Sequence, residues 1–308
     1  MSLTPQVRKI LGNYEGETEG VKEALARLLN HGALGGTGKM VILPVDQGFE
    51  HGPARSFAVN PGGYDPHYHY QLAIDSGCSA YAAPLGALEA GMDTFKGRVP
   101  TILKMNSSNS LDSGKRDYNQ AVTGSIKEAA RLGCTAVGFT IYPGSDNQFD
   151  MFEEVRDMIA EAREHNIASV VWSYARGSGL SKDGETAMDV IAYAAHMACL
   201  LGAHVIKVKL PTDHLEQKEA KKAFEDNNIP IATQADRVRE VVRSCFNGRR
   251  IVVFSGGNTK GADAVYDDAH AINEGGGNGS IIGRNSFQRE RGDALDMLSN
   301  IMKIYKGE

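Results

Sequence analysis

The chain has 308 residues, 42% of them hydrophobic and 23% charged, the make-up of a globular protein with a large buried core. Its formal net charge of −5 excludes partners recognised through an overall basic face, such as nucleic acid or an anionic membrane surface, but leaves room for a local phosphate site. The length is long for one ordinary domain and short for two, and it suits a single α/β barrel.

Residues 1–38 read as an N-terminal helical extension, with an amphipathic segment over 18–31 and a turn at Gly35-Gly36-Thr37-Gly38. The opening stretch lacks the apolar segment of a secretory signal, and no uncharged apolar run reaches about 18 residues. The cysteines Cys78, Cys134, Cys199 and Cys245 show no CxxC or metal-ligand spacing, and Cys134 and Cys199 read as buried thiols. The expectation is a cytoplasmic protein with no membrane partner.

From residue 39 to 308 the chain reads as one catalytic domain. Short apolar runs occur at Met40–Val45, Ala80–Pro84, Thr101–Met105, Ala136–Tyr142, Ala168–Tyr174, His204–Leu210, Ile251–Phe254 and Gly279–Ile282. Most are separated by stretches of helical period, such as 148–165 and 186–201, while 47–70 reads as an extended loop leading into a helix. Buried parallel strands alternating with crossover helices, without a composition break, predict a single (β/α)8 TIM barrel rather than a doubly wound open sheet.

In such a barrel the chemistry lies at the C-terminal ends of the strands. Polar residues accumulate there: Asp46 through His51 after the first strand, Lys104 and Asn106 after the third, Tyr174 and Arg176 after the fifth. On the sixth strand Val205, Lys207 and Lys209 share one face and Ile206, Val208 and Leu210 the other. The all-apolar face must meet the helices, which turns both lysines inward. Desolvation, and a second cation about 7 Å along the strand, would lower a lysine pKa and leave an amine able to attack a carbonyl.

Trp172 and Tyr174 share a face of the fifth strand; the tyrosine is a proton-transfer candidate or a packed aromatic. Asp46 is an acid–base candidate or a plain turn residue. Ser255-Gly256-Gly257 and Gly283-Arg284 end the seventh and eighth strands, the usual phosphate-binding position in this fold, and Arg284 would add a bidentate donor. The Gly-rich turn at 35–38 is no P-loop, because Ala33 stands at the first required glycine and Met40 at the Ser/Thr. His67 and His69 lack a third ligand at metal spacing and read as solvated loop residues.

Together, Leu43-Pro44-Val45-Asp46-Gln47-Gly48-Phe49-Glu50-His51-Gly52, Leu103-Lys104-Met105-Asn106, Val137 through Ser145, Val171-Trp172-Ser173-Tyr174, Val205-Ile206-Lys207-Val208-Lys209 and Ser255-Gly256-Gly257 resemble the archaeal-type class I fructose-bisphosphate aldolases, also found in bacteria. The resemblance spans about residues 36 to 290. It implies reversible cleavage of fructose 1,6-bisphosphate to dihydroxyacetone phosphate and glyceraldehyde 3-phosphate, in glycolysis and gluconeogenesis. It selects Lys207 over Lys209 as the Schiff-base residue and matches Tyr174 to the proton-transfer tyrosine, Trp172 to its neighbour and Asp46 to the first-strand aspartate. Ser255, Gly256, Gly257, Gly283 and Arg284 match phosphate-holding positions, and Lys209, His51 and Arg176 are counted with them as substrate contacts. The family needs no metal or other cofactor, takes sugar phosphates and commonly forms large homo-oligomers. This chain departs from the family after Tyr174, where Ala175-Arg176-Gly177 replaces Pro-Arg-Gly in a longer loop. A related Schiff-base barrel acting on another phosphorylated sugar or an acyl substrate is the alternative.

Overall fold

The computed structural model describes residues 3–111, 118–256 and 260–308. Eight strands, β1 (Met40–Pro44), β2 (Ala80–Pro84), β3 (Thr101–Lys104), β4 (Ala136–Ile141), β5 (Ala168–Ser173), β6 (Val205–Val208), β7 (Ile251–Ser255) and β8 (Gly279–Ile281), close into a barrel. Each strand pairs in parallel with its neighbours in the chain, and β8 returns to β1 with Gly279 opposite Met40. Closure rules out the open doubly wound sheet. At the seam Gly279 has φ +126°, and a Cβ there would stand 1.9 Å from the Met40 carbonyl oxygen, so glycine alone lets β8 start so near β1.

The alternation of side chains sorts the core into two layers. Met40 and Ile42, Ala168 and Val170, Val205, and Ile251 and Val253 fill the barrel, while Val41, Leu43, Val171, Ile206, Val208 and Val252 pack against the helices. Burial on both faces explains why the strands read as unbroken apolar runs. The expected helices over 148–165 and 186–201 are Gln148–Glu164 and Met188–Leu200. The 47–70 stretch is more helical than expected, with turns at Gln47–His51, Pro53–Phe57 and Pro61–Tyr64 before the helix Pro66–Asp75. A small antiparallel ribbon of Asn106–Ser107 and Ala121–Val122, which the sequence does not announce, follows β3.

Two helices precede the barrel, Pro5–Leu11 and Glu19–Asn30, capped by the hydroxyls of Thr4 and Thr18, which accept from the Val7 and Val21 amides at 3.2 Å. Their apolar faces (Val7, Ile10, Val21, Leu25, Leu28) join the barrel interior in one cluster. They cover the end at which the strands begin: the Tyr14 hydroxyl donates to the His204 carbonyl at 2.6 Å and accepts from the Ile251 amide at 3.1 Å. The opposite end is left for a ligand.

Glu17 latches this cover. Arg163 Nε and Nη2 donate to its carboxylate at 2.8 and 2.9 Å, and His204 Nε2 lies 3.1 Å away. His204 Nδ1 accepts from the Ser169 amide at 2.8 Å, which leaves Nε2 to face Glu17. Burial pushes the Glu17 carboxyl up, but the hydrogen bonds from His204 and Arg163 outweigh it and hold the pKa at about 2 against an ordinary 4.5. A depressed folded-state pKa contributes stability that is complete above 4.5 and lost as pH falls toward 2. Glu17→Gln is therefore expected to lower the thermal midpoint at neutral pH and to flatten its fall through that acid window. Parallel melting curves against pH for the two proteins would show that the latch adds no acid-sensitive stability.

Candidate active site

At the open end, a half-turn after β1 carries Asp46, only 9% exposed, and the short helix behind it carries Glu50 and His51. Parity on β5 turns Trp172 inward, and Tyr174 follows on the same side at the strand's end. The indole lies across the barrel because β4 offers no side chain under it: a Cβ on Gly138 would stand 2.1 Å from a ring carbon. Lys207 on β6 places Nζ 5.4 Å from the Trp172 ring centre and 5.5 Å from that of Tyr174. Lys207 is 6% exposed and Trp172 2%.

Electrostatics shifts this amine toward its neutral form. Burial is the largest influence on Lys207 and lowers its pKa to about 8; Asp46 and Glu50 oppose the shift, and Lys104 and Arg284 add to it. The neutral amine is therefore far more populated near neutral pH than in an ordinary lysine. Tyr174 moves the other way. Burial, then Asp46 and Glu50, push its hydroxyl well above the usual phenol range, against Arg176 and a hydrogen bond with Ser255, so it keeps its proton. The Glu50 carboxyl is raised by burial and by the Asp46 charge, against the pull of Lys104, Arg176 and Lys207. A buried amine near a phenol and two carboxyl groups has the means to attack a carbonyl and move protons around the adduct.

The described residues that follow β7 and β8 sit side by side. Asn285, 1% exposed, ties them by donating from Nδ2 to the Gly256 carbonyl and accepting from the Lys260 amide, both at 2.9 Å. Ser255, Gly256, Gly283 and Arg284 thus come to one place, and Arg284 acts electrostatically on both Lys207 and His51. Gly257 lies outside the described residues. His51 Nε2 stands 3.7 Å from Glu50. Arg176 lies against Tyr118 and Tyr142, 5.4 Å from each ring centre, and the two rings meet edge-on with their centres 5.6 Å apart.

Lys209 is placed differently from the expectation. It lies past the end of β6 and pairs with Glu185 at 3.5 Å. The lysine that presses on Lys207 is Lys104 of β3, 2% exposed, with Nζ 5.8 Å from the same indole. Sequence reasoning sets Lys104, Glu50, Asn106 and Tyr142 at or near strand ends but assigns them no role in the site. A signal for Lys104 exists: Ile102 faces the barrel interior and Leu103 the helices, so the next inward position is 104. His67 and His69 belong to a helix rather than a loop and bond to the Ala90 and Gly63 carbonyls at 2.8 and 2.7 Å. Among the described residues no group of three or more His, Cys, Asp or Glu side chains is arranged to hold a metal ion.

Relatives carry the same framework. A protein of Chlamydia muridarum, named probable fructose-bisphosphate aldolase class 1, is 35% identical over 299 residues, covering 92% of this chain and 84% of the relative. The fructose-bisphosphate aldolase class 1 of Halobacterium salinarum is 35% identical over 266 residues, 86% of this chain and 90% of the relative. An archaeal fructose-1,6-bisphosphate aldolase, solved with its catalytic lysine covalently bound to the carbinolamine intermediate of the substrate, superposes with a TM-score of 0.75 at 31% identity over 92% of this chain and 99% of that one. The DeoC/LacD aldolase family model matches residues 40–289, from the first strand of the barrel to beyond the last, and the chain belongs to the DeoC/LacD family of aldolases.

Proposed function

We propose that this aldolase is a class I fructose-1,6-bisphosphate aldolase with Lys207 as its Schiff-base residue. The observation that carries the reading is the Lys207 amine, buried between Trp172 and Tyr174 and shifted toward its neutral form, in a chain that shares 35% identity with class 1 fructose-bisphosphate aldolases.

Lys207 Nζ attacks the C2 ketone, and loss of water from the carbinolamine gives an iminium. As the C4 hydroxyl gives up its proton to a carboxylate of the site, the C3–C4 electron pair flows into the iminium and glyceraldehyde 3-phosphate departs. Tyr174, held protonated by its surroundings, delivers a proton to C3 of the enamine, and water releases dihydroxyacetone phosphate. Asp46 assists proton transfer as the carbinolamine forms and breaks. Ser255, Gly256, Gly283 and Arg284 hold one phosphate so that the ketone meets the amine in reactive geometry. Gly257 joins them on sequence grounds. Arg176, Lys209 and His51 line the rim, where the second phosphate lies. With this activity go a place in glycolysis and gluconeogenesis, a cytoplasmic location and a homo-oligomeric state, while residues 1–38 act as a cover on the catalytic domain.

The test is cleavage across a panel of phosphorylated sugars, followed by coupled detection of triose phosphate. Fructose 1,6-bisphosphate is expected to give the highest kcat/KM, with the rate unaffected by chelators. A higher kcat/KM on another sugar phosphate would move the substrate assignment, and chelator-sensitive turnover would remove the amine mechanism.

A further inference from the structure

The loops that follow β5 and β6 are sewn together. The Ser181 amide and hydroxyl donate to the Glu216 carboxylate at 2.8 Å each, and Asp189, 4% exposed, accepts from the Glu216 and Gln217 amides at 2.9 and 2.8 Å. The Thr212 amide donates to the Thr186 carbonyl and the Met188 amide to the His214 carbonyl, both at 2.8 Å. On this frame the short turn Gly184–Thr186 sets Glu185 between two lysines, with Oε2 3.5 Å from Lys209 Nζ and 3.0 Å from Lys182 Nζ. The side chain of Lys209 is 25% exposed and that of Lys182 84%, so Lys209 is the partner held inside. Burial and the nearby Arg176 push Lys209 toward the neutral amine, while Glu185 opposes them by its charge and its hydrogen bond. Arg176 Nε is itself buried and has no hydrogen-bond partner among the described residues. An ammonium and a guanidinium close enough to repel each other both gain from a phosphate placed beside them.

Resting on the function proposed above, we propose that Glu185 is a positioning residue that sets specificity: it anchors the Lys209 ammonium near Arg176, so that Lys209 takes the phosphate remote from the imine, on C6 of fructose 1,6-bisphosphate. Glu185 acts through Lys209 and touches no substrate atom, since a carboxylate and a phosphate repel each other. An ammonium offers a phosphate both a charge and three donors, and the neutral amine that burial and Arg176 favour offers no charge. Lys182 pairs with Glu185 from the solvent side, where screening leaves the pair weak. The longer loop after Tyr174, in which this chain departs from the archaeal-type pattern, thus has a use: it carries Glu185 to Lys209.

The experiment compares kcat/KM for fructose 1,6-bisphosphate with that for fructose 1-phosphate, which lacks the remote phosphate and so serves as the internal control. Glu185→Gln keeps the shape of the side chain and removes its charge. In Glu185→Gln and in Lys209→Met the preference for the bisphosphate is expected to fall by about tenfold, through a higher KM at nearly constant kcat, with the monophosphate unaffected. The double variant is expected to fall no further than Lys209→Met, because Glu185 works through that lysine. An unchanged or increased preference for the bisphosphate in folded Glu185→Gln would overturn the proposal. So would an equal loss on both sugars, which marks a structural role, or additive losses in the double variant. If Glu185→Gln does not fold, Glu185→Asp, which draws the charge back by one methylene, is read under the same criteria and is expected to lose about threefold or more. Wild-type protein that cleaves neither sugar would refute the function proposed above and this inference with it, whereas cleavage of both with a preference that none of the variants moves would refute this inference alone.

Discussion

Replacing Lys207 with alanine is expected to cut the cleavage of fructose 1,6-bisphosphate by more than about a thousandfold, the scale seen when a covalent nucleophile is removed. The loss follows from the mechanism rather than from damage to the barrel. Lys207 is 6% exposed and faces aromatic rings, and burial already disfavours its charge. Removing such a group deletes methylene packing but also relieves the cost of holding a desolvated amine. The thermal midpoint of Lys207→Ala is accordingly expected to stay within a few degrees of wild type while turnover vanishes. Comparable residual turnover would shift the nucleophile elsewhere, and a collapsed midpoint would mean that the lysine is structural.

Tyr174→Phe is expected to separate the two halves of the reaction. The phenyl ring keeps its place beside Lys207, so the amine still adds to the ketone and an adduct still forms. What is lost is the hydroxyl, which its neighbours hold in the protonated state. Without that acid, protonation of the enamine should slow by about a hundredfold or more, the range of a positioned general acid. Rapid-quench kinetics should then show a burst of triose phosphate equal to the enzyme concentration, followed by slow steady-state turnover. A uniform loss with no burst would place Tyr174 before carbon–carbon cleavage, and unchanged turnover would remove it from proton transfer.

Much of this architecture is legible in the chain because the two periodicities are clean. Met40 through Pro44 reads as a strand from its apolar run, and Val205 against Ile206 sorts inside from outside, which brings Lys207 into the barrel on alternation alone. The same rule fails one step later. Lys209 lies just beyond the last residue of β6, and there it pairs with Glu185 of the short 3-10 helix Gly184–Thr186. Lys104 is turned inward by the same alternation, but its company is not readable there. It depends on Lys207 being across the barrel, on Gly138 making room for the Trp172 ring, and on the clamp between Asn106 and Thr140. Those are long-range facts, fixed by closure of the barrel and invisible to a reading of one strand at a time. Glu50 is similar: a residue near a turn in sequence, it is drawn into the site by the short helix Gln47–His51.

The whole mechanism turns on a covalent imine between Lys207 and the substrate. The direct measurement is to incubate the protein with dihydroxyacetone phosphate, reduce with borohydride and map the adduct by peptide mass spectrometry. One substrate-dependent adduct per chain is expected, on the peptide containing Lys207. An adduct on Lys104 or Lys209, or none in protein that cleaves fructose 1,6-bisphosphate, would contradict the imine at Lys207.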